Sequence, residues 1–416
     1  MELKYRLFLE ALGAYFKNEK VNWDFEISME TWAELFDLAE MHKVQPLIFE
    51  AVYDCPAIRT MDVRFLEMMK RRGIAVMMHQ VKKTAKFLGL YRNLQERGLY
   101  PVVVKGLVCR ELYPNPDLRI SSDEDLWVEA HLFGDYLKAL EEYGLKPMTA
   151  SEHLEQMDEV GFLSEDKLIY IELHKHLFSK SSDAYGALND YFTPCLQKKV
   201  PLEVQGSTVY AMEPQMHLFY LICHALKHFL HSGFGIRQVS DMALFASAYG
   251  KEVDWQKLLE QCREIHAEKF TAALFKIAKK HLNFDEEKAG YPVVWQEMDV
   301  EEEDLLQDLL SGGIYGGSSM SRKHSSNMTL DAVAARNCGK SSGSALKASL
   351  FPAAKKLEGQ YTYLKKQPYL LPVAWGERLV KYCGEVGKSD KNRAVDAVKI
   401  GNQRIELLKK YGILDK

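Results

Sequence analysis

At 416 residues, with 47% hydrophobic and 27% charged side chains, the chain has the composition of a globular protein of two or three domains. A formal net charge of −4 gives no global footprint for nucleic acid and none for a polybasic membrane anchor. Seven scattered cysteines without a C-x-x-C spacing argue against a disulfide framework or a cysteine zinc site, and for a reducing cytoplasm.

Residues 1–90 read as helices. MELKYRLFLEALGAYF is broken by charges, which predicts an amphipathic helix rather than a signal peptide or a membrane span. TWAELFDLAEMHKVQPLIFEAV sets Trp32, Leu35, Phe36 and Leu38 near helical spacing, and a long proline-free helix follows from DVRFLEMM to NLQERG. The texture then changes. YPVVVKG is a β-branched run ending in glycine, which predicts a buried strand and a turn. GLVCRELYP predicts a short helix stopped at Pro114, EDLWVE a second strand, and HLFGDYLKALEEYG a helix closed at Gly144. EQMDEVGFLSEDKLIYIELHKHLF predicts a hairpin turning at SEDK. Strand, helix, strand, helix and two paired strands make a small unit around a mixed sheet.

From residue 212 the pattern is helical again, through PQMHLFYLICHALKHFL, IRQVSDMALFASAYG, DWQKLLEQCREI and AEKFTAALFKIAKKHL. The Gly- and Ser-rich stretch at 311–327, with Gly312, Gly313, Gly316 and Gly317, predicts a loop or linker. NCGKSSGS at 337–344 predicts a second loop. Its GKS resembles the end of a P-loop, but Ala334 stands where that motif requires glycine and no strand precedes it. The expected division is a helical region at 1–90, an α/β core at 91–205 and a helical domain at 206–300. A Gly/Ser-rich loop or linker at 301–350 and a C-terminal helical segment at 351–416, packing on the rest, complete it.

Alternation along DEDLWV directs Asp123 and Asp125 to one face and Glu124 to the other. Two carboxylates about 7 Å apart along a strand suit a hard cation held between them. Two such ions about 4 Å apart clamp the attacking and leaving oxygens of a phosphoryl transfer. IYIELHKHLF offers a third carboxylate, Glu172, sharing a face with Tyr170 and His174 while Ile169, Ile171 and Leu173 face the other way. A carboxylate in such a run needs a positive partner: a metal, or else Lys105 or Arg119 in a buried ion pair. Lys105 and Gly106, at a strand end and a helix start, are candidate triphosphate contacts, with Arg119 and Ser122 beside them. Glu124 reads as solvated or ion-paired, and His174 and His176 as shaping the strand face.

His217, His224, His228 and His231 fall near one helical face, but no cysteine or acid accompanies them, so polar cleft or packing histidines are expected rather than a zinc site. Lys227 and Arg237 are candidate contacts to substrate phosphate or base, and Asp241 is the expected partner of Arg237.

KGLVCRELYPNPDLRISSDEDLWV resembles the core of the nucleotidyltransferase superfamily that includes DNA polymerase β. More closely, it is similar to a bacterial branch whose pattern runs K-G, Y-P, R-x-x-x-D-x-D, carried here by Lys105-Gly106, Tyr113-Pro114, Arg119, Asp123 and Asp125. IELHKHLF is similar to the branch's E/D-L-H element and implies Glu172 as third metal ligand. A downstream H-x-x-K-H…R…D element is carried by His224, Lys227, His228, Arg237 and Asp241. LFPAAKKLEGQYTYLKKQPYLLPVAWGERL resembles the branch's C-terminal signature, so the resemblance runs from Trp32 to Arg378. The Gly-Ser dipeptide usual in the wider superfamily after the first strand is Lys-Gly here.

The resemblance implies an α+β fold, with a mixed β-sheet core of nucleotidyltransferase type flanked by N- and C-terminal helical regions. It implies transfer of a nucleoside monophosphate from an NTP to an acceptor, with Mg2+ or Mn2+ at Asp123, Asp125 and Glu172. Glu172 is also a candidate base for the acceptor hydroxyl. His224, Lys227, His228 and Arg237 are the expected acceptor-side contacts. A small-molecule acceptor is favoured over protein or RNA, and RNA is made less attractive by the absence of a visible basic stripe. The alternatives are a non-catalytic nucleotide- or partner-binding module on the same fold, and a toxin or antitoxin component modifying RNA or protein.

Overall fold

The computed structural model describes residues 1–150, 153–231, 233–313, 320–339, 361, 363, 367–377 and 393–414. Four helices come first: α1 (Leu3–Phe16), α2 (Met29–Met41), α3 (Gln45–Val52) and the long α4 (Val63–Glu96). Their starts follow from local chemistry. Ser28 caps α2 by accepting from the amide of Thr31, and Asp62 caps α4 by accepting from those of Arg64 and Phe65. Next come β1 (Val102–Val104), α5 (Gly106–Arg110), β2 (Glu124–Trp127), α6 (Phe133–Glu142), β3 (Leu145–Pro147), β4 (Glu159–Ser164) and β5 (Tyr170–His174). A short helix, α7 (Asn189–Phe192), precedes the hairpin of β6 (Lys199–Val204) and β7 (Ser207–Met212).

These strands form a single mixed sheet in the order β3-β4-β5-β2-β1-β7-β6. β2 is antiparallel to β1 and parallel to β5, and β1 is parallel to β7. The architecture is α+β, as expected. β1, β2 and the β4–β5 hairpin fall where the sequence predicts them. Two additions extend the sheet: the three-residue β3, and the β6–β7 hairpin turning at Gln205–Gly206, both with positive φ. The sheet therefore runs to Met212.

After β7 the chain enters α8 (Pro214–Leu230) and α9 (Ile236–Tyr249), which cover the end of the sheet where β1 and β2 meet α5. α10 (Trp255–Glu264), α11 (Glu268–His281), α12 (Glu286–Ala289), α13 (Val293–Gln296) and α14 (Glu303–Gly312) follow. The stretch expected as a loop at 311–327 is in part helical: α15 (Met320–Asn337) begins inside it. Met328, Ala332 and Val333 are buried there, so an apolar face overrides the loop-like composition at its start. A C-terminal helix, Arg393–Lys410, packs against α15. Gly316, Gly317, most of the GKS loop and much of the C-terminal signature lie outside the described residues.

One continuous apolar core extends from Leu7 to Leu414. Tyr91 of α4 ties the helix to the start of β1 and to β7, donating to the carbonyl of Pro101, just before β1, at 2.6 Å and accepting from the amide of Tyr210 at 3.0 Å. No helix among the described residues is long and apolar enough to cross a membrane.

Candidate active site

The site is built where β2 and β5 lie side by side. Their parallel register sets Asp125 opposite Glu172 and Trp127 opposite His174. Ile169, Ile171 and Leu173 are fully buried on the opposite face, as the alternation predicts, which leaves Tyr170, Glu172 and His174 toward the cleft. His174 joins the two strands. Its Nε2 lies 2.9 Å from Asp125 Oδ1 and 3.6 Å from Glu172 Oε2, and its Nδ1 lies 3.4 Å from Glu159 Oε2. Burial works against its charged form, but hydrogen bonds to Asp125 and Glu172 outweigh that and raise its pKa to about 9.

Lys105 enters from β1. Its backbone is in the positive-φ region (φ 45°, ψ −91°), a conformation that costs a non-glycine residue about 1–3 kcal/mol. His217 secures it by accepting from the Lys105 amide at 3.3 Å. The result is that Lys105 Nζ lies 3.1 Å from Asp125 and 3.6 Å from Asp123. Both aspartates thus meet one ammonium. Burial raises the carboxyl pKa of Asp125 despite that ammonium, whereas in Asp123 Lys105 and the Ser122 hydroxyl overcome burial and lower it.

Glu124 points the other way, into the protein. Only 1% exposed, it is ion-paired with the equally buried Lys83 at 3.2 Å, and it accepts from Ser121 Oγ at 2.9 Å and from the Leu107 amide at 3.0 Å. The expected ion pairing of Glu124 is what is found, and it changes the reading of Gly106. A Cβ at position 106 would lie 2.3 Å from Glu124 Oε2, so this glycine makes room for a carboxylate of the protein itself. The start of α5, expected to receive phosphate, receives Glu124.

Arg119 is also committed elsewhere. Its Nε and Nη2 donate to Asp241 at 2.7 and 2.6 Å in a bidentate pair, and Tyr113 donates to the same carboxylate at 2.8 Å. This corrects two expectations. Arg119 is not a free phosphate-binding cation, and the partner of Asp241 is Arg119 rather than Arg237. Of the three Arg119 guanidinium nitrogens, Nη1 has no hydrogen-bond partner among the described residues. Arg237 instead donates from Nη1 to the carbonyl of Ile120, leaving its Nε without one.

The opposite wall is α8. His224 Nε2 lies 3.3 Å from Lys105 Nζ and 3.1 Å from His228 Nε2, so these rings form the polar cleft face expected of them. Burial, reinforced by the charge of Lys105, lowers the pKa of His224 well below its ordinary value and that of His228 to about 3. Burial likewise lowers the pKa of Lys227, whose Nζ stands 6.0 Å from the Tyr185 ring.

Between these walls is a cavity of about 490 Å3, within the range of small-molecule sites. All eleven site residues expected from the sequence border it: Lys105, Gly106, Arg119, Ser122, Asp123, Asp125, Glu172, His224, Lys227, His228 and Arg237. The donor set suits a divalent cation. Asp125, Glu172 and His174 each offer a ligand atom within 4.8 Å of the others, and buried Asp125 Oδ2 and His174 Nδ1 have no hydrogen-bond partner among the described residues. Lys105 touches that Oδ2 as an ion, without hydrogen-bond geometry.

Sequence reasoning missed His174 as a potential ligand and Lys83 as the buried partner of Glu124. Lys83 sits among Lys82, Lys86 and their neighbours in a charged helix, and only its stripe with Gln80, Thr84 and Phe87, all buried, distinguishes it.

Neither a curated protein nor a solved structure matches the chain. Residues 28–283 match the family model described as "Uncharacterised nucleotidyltransferase", a span that covers well over half of the chain and every residue of the cleft described above. The chain belongs to this nucleotidyltransferase family.

Proposed function

We propose that the protein transfers a nucleoside monophosphate from an NTP to an acceptor in the cleft, with Mg2+ or Mn2+ at Asp123, Asp125 and Glu172. The observation that carries this reading is the register of Asp125 with Glu172 on adjacent parallel strands, with one buried aspartate oxygen unsatisfied. His174 is added to the candidate ligand set. A divalent cation held there supplies charge neutralisation on the phosphoryl oxygens and activation of the attacking group.

The side chains divide the remaining work. Lys105, Ser122 and Arg237 border the Asp123 side of the cleft and bind the triphosphate, and Arg119 holds the Ile120–Asp123 turn in place through Asp241. Lys227, His224 and His228 orient the acceptor from α8. Glu172, less buried than Asp125, is the group that accepts a proton from an acceptor hydroxyl. A cavity of this size favours a small acceptor, or one reactive group of a larger one.

The test combines binding with turnover. Wild type and Asp125→Asn are compared for Mg2+-dependent NTP binding by calorimetry and for pyrophosphate release across a panel of small acceptors. The expected outcome is binding in wild type weakened at least about tenfold in the variant, with pyrophosphate release confined to wild type. Equal Mg2+-dependent binding by both proteins removes the carboxylates from the reading. Tight binding without pyrophosphate release from any acceptor favours the non-catalytic binding module.

A further inference from the structure

The position that both aspartates address is held by a side chain of the protein itself. Lys105 Nζ is 3.1 Å from Asp125 and 3.6 Å from Asp123. Its main chain cannot withdraw, because residue 105 joins β1 to α5 in a positive-φ conformation with its amide held by His217. Its four-carbon stem can, because the side chain is partly exposed and borders the cavity. His224 Nε2, 3.3 Å from the ammonium, already offers it a partner on the α8 side.

We propose that Lys105 is a displaceable internal counter-ion that makes uptake of a divalent cation by these carboxylates depend on nucleotide. This rests on the metal-dependent reading given above. A divalent cation drawn to Asp123 and Asp125 meets the ammonium at the same oxygens, and two cations do not share them without strong repulsion. The ammonium then has to swing toward His224 and Arg237, where it meets a neutral ring and a second cation, and where Asp241, the carboxylate beside Arg237, is already engaged by Arg119. Leaving a charge there unpaired opposes metal uptake. A triphosphate on that side supplies the missing negative charge, so that metal and nucleotide bind together and either alone binds poorly.

Free Mn2+, read by electron paramagnetic resonance, tests this on the full chain. Titrations are run with and without the α,β-methylene analogue of each of the four common NTPs, corrected by protein-free controls for chelation. Wild type is expected to bind Mn2+ weakly alone and at least about tenfold more tightly with an analogue. Lys105→Met is expected to bind Mn2+ alone at least about tenfold more tightly than wild type, with little further gain from the analogue. Mn2+ binding to wild type that is equally tight with and without every analogue overturns the proposal, whatever the variant does. Lys105→Met binding Mn2+ no more tightly than wild type overturns it too, and Lys105→Gln replaces this variant should it fail to melt cooperatively. If neither protein takes up Mn2+ under any condition, the metal site itself is refuted and this inference falls with it.

Discussion

Among individual residues, Glu124 separates architecture from chemistry most sharply. It lies between two aspartates of the cleft, yet its carboxylate is turned into the protein and meets Lys83, with both side chains only 1% exposed. Removing one partner of such a pair leaves a buried charge without compensation, at a cost of about 3–5 kcal/mol. Lys83→Met is therefore expected to lose about that much stability in urea denaturation, and Glu124→Gln a comparable amount. The double variant should recover a large part of the loss, because it removes both charges together. Additive losses in the double variant would show that the two side chains do not act as a pair. Alternation along DEDLWV was enough to turn Glu124 away from Asp123 and Asp125. The identity of its partner was hidden, because Lys83 is 41 positions earlier on a helix with lysines on several faces.

At the scale of elements, the site depends on how the Arg119–Asp123 turn is fastened to α9. Arg119 and Tyr113 both bond Asp241, and Arg237 reaches the carbonyl of Ile120, so two arginines fix the approach to the aspartates. Asp241→Asn is expected to destabilise the fold by roughly 3 kcal/mol, because the Arg119 guanidinium loses its buried counter-charge. It is also expected to weaken Mg2+-dependent NTP binding although residue 241 is not assigned to bind the nucleotide. Calorimetric binding measured well below the melting temperature checks the second effect separately from the first. Unchanged affinity there would mean that the turn is set by other contacts.

The strands that carry the carboxylates were legible for the same local reason in each case. β1 is an unbroken Val102–Val104 run, and β5 alternates cleanly from Ile169 to Leu173. β3 left no such trace, since Leu145–Pro147 is three residues long and contains a lysine and a proline. The β6–β7 hairpin did leave one. Gln205–Gly206 is a two-residue turn with positive φ at both positions, between runs with the period of strands, and an expected domain border at 205 passed through it. The Arg119–Asp241 pair was beyond reach for a different reason. Two arginines, 119 and 237, compete for that aspartate, and only the packing of α9 against α5 decides between them.

For the molecule as a whole, ionisation decides the range of pH over which the fold holds. His42, from the N-terminal helices, binds the rest of the protein together: its Nδ1 accepts from the Ile236 amide at 3.1 Å and its Nε2 lies 3.3 Å from the Leu310 carbonyl. Burial lowers its pKa to about 4, and lowers those of His217 and His228 to about 3 and that of His231 to about 4. A histidine with a depressed folded pKa contributes stability that is present above its unfolded value of 6.5 and lost as pH falls from there toward 4 and 3. His224 shifts in the same direction. His174 runs the opposite way. With a folded pKa of about 9 against 6.5 unfolded, its contribution is complete below pH 6.5 and fades as pH rises to 9. Among the histidines several act on the acid side and His174 on the alkaline side, so the melting temperature of metal-free protein is expected to peak near neutrality and to fall more steeply toward acid. Thermal melts in chelator-treated buffer from pH 4 to 9 measure both slopes. His174→Gln should reduce the steepness of the alkaline arm alone, and His42→Gln that of the acid arm alone. An alkaline arm that persists unchanged in His174→Gln would show that the imidazolium between Asp125 and Glu172 does not hold β2 and β5 together in the metal-free protein.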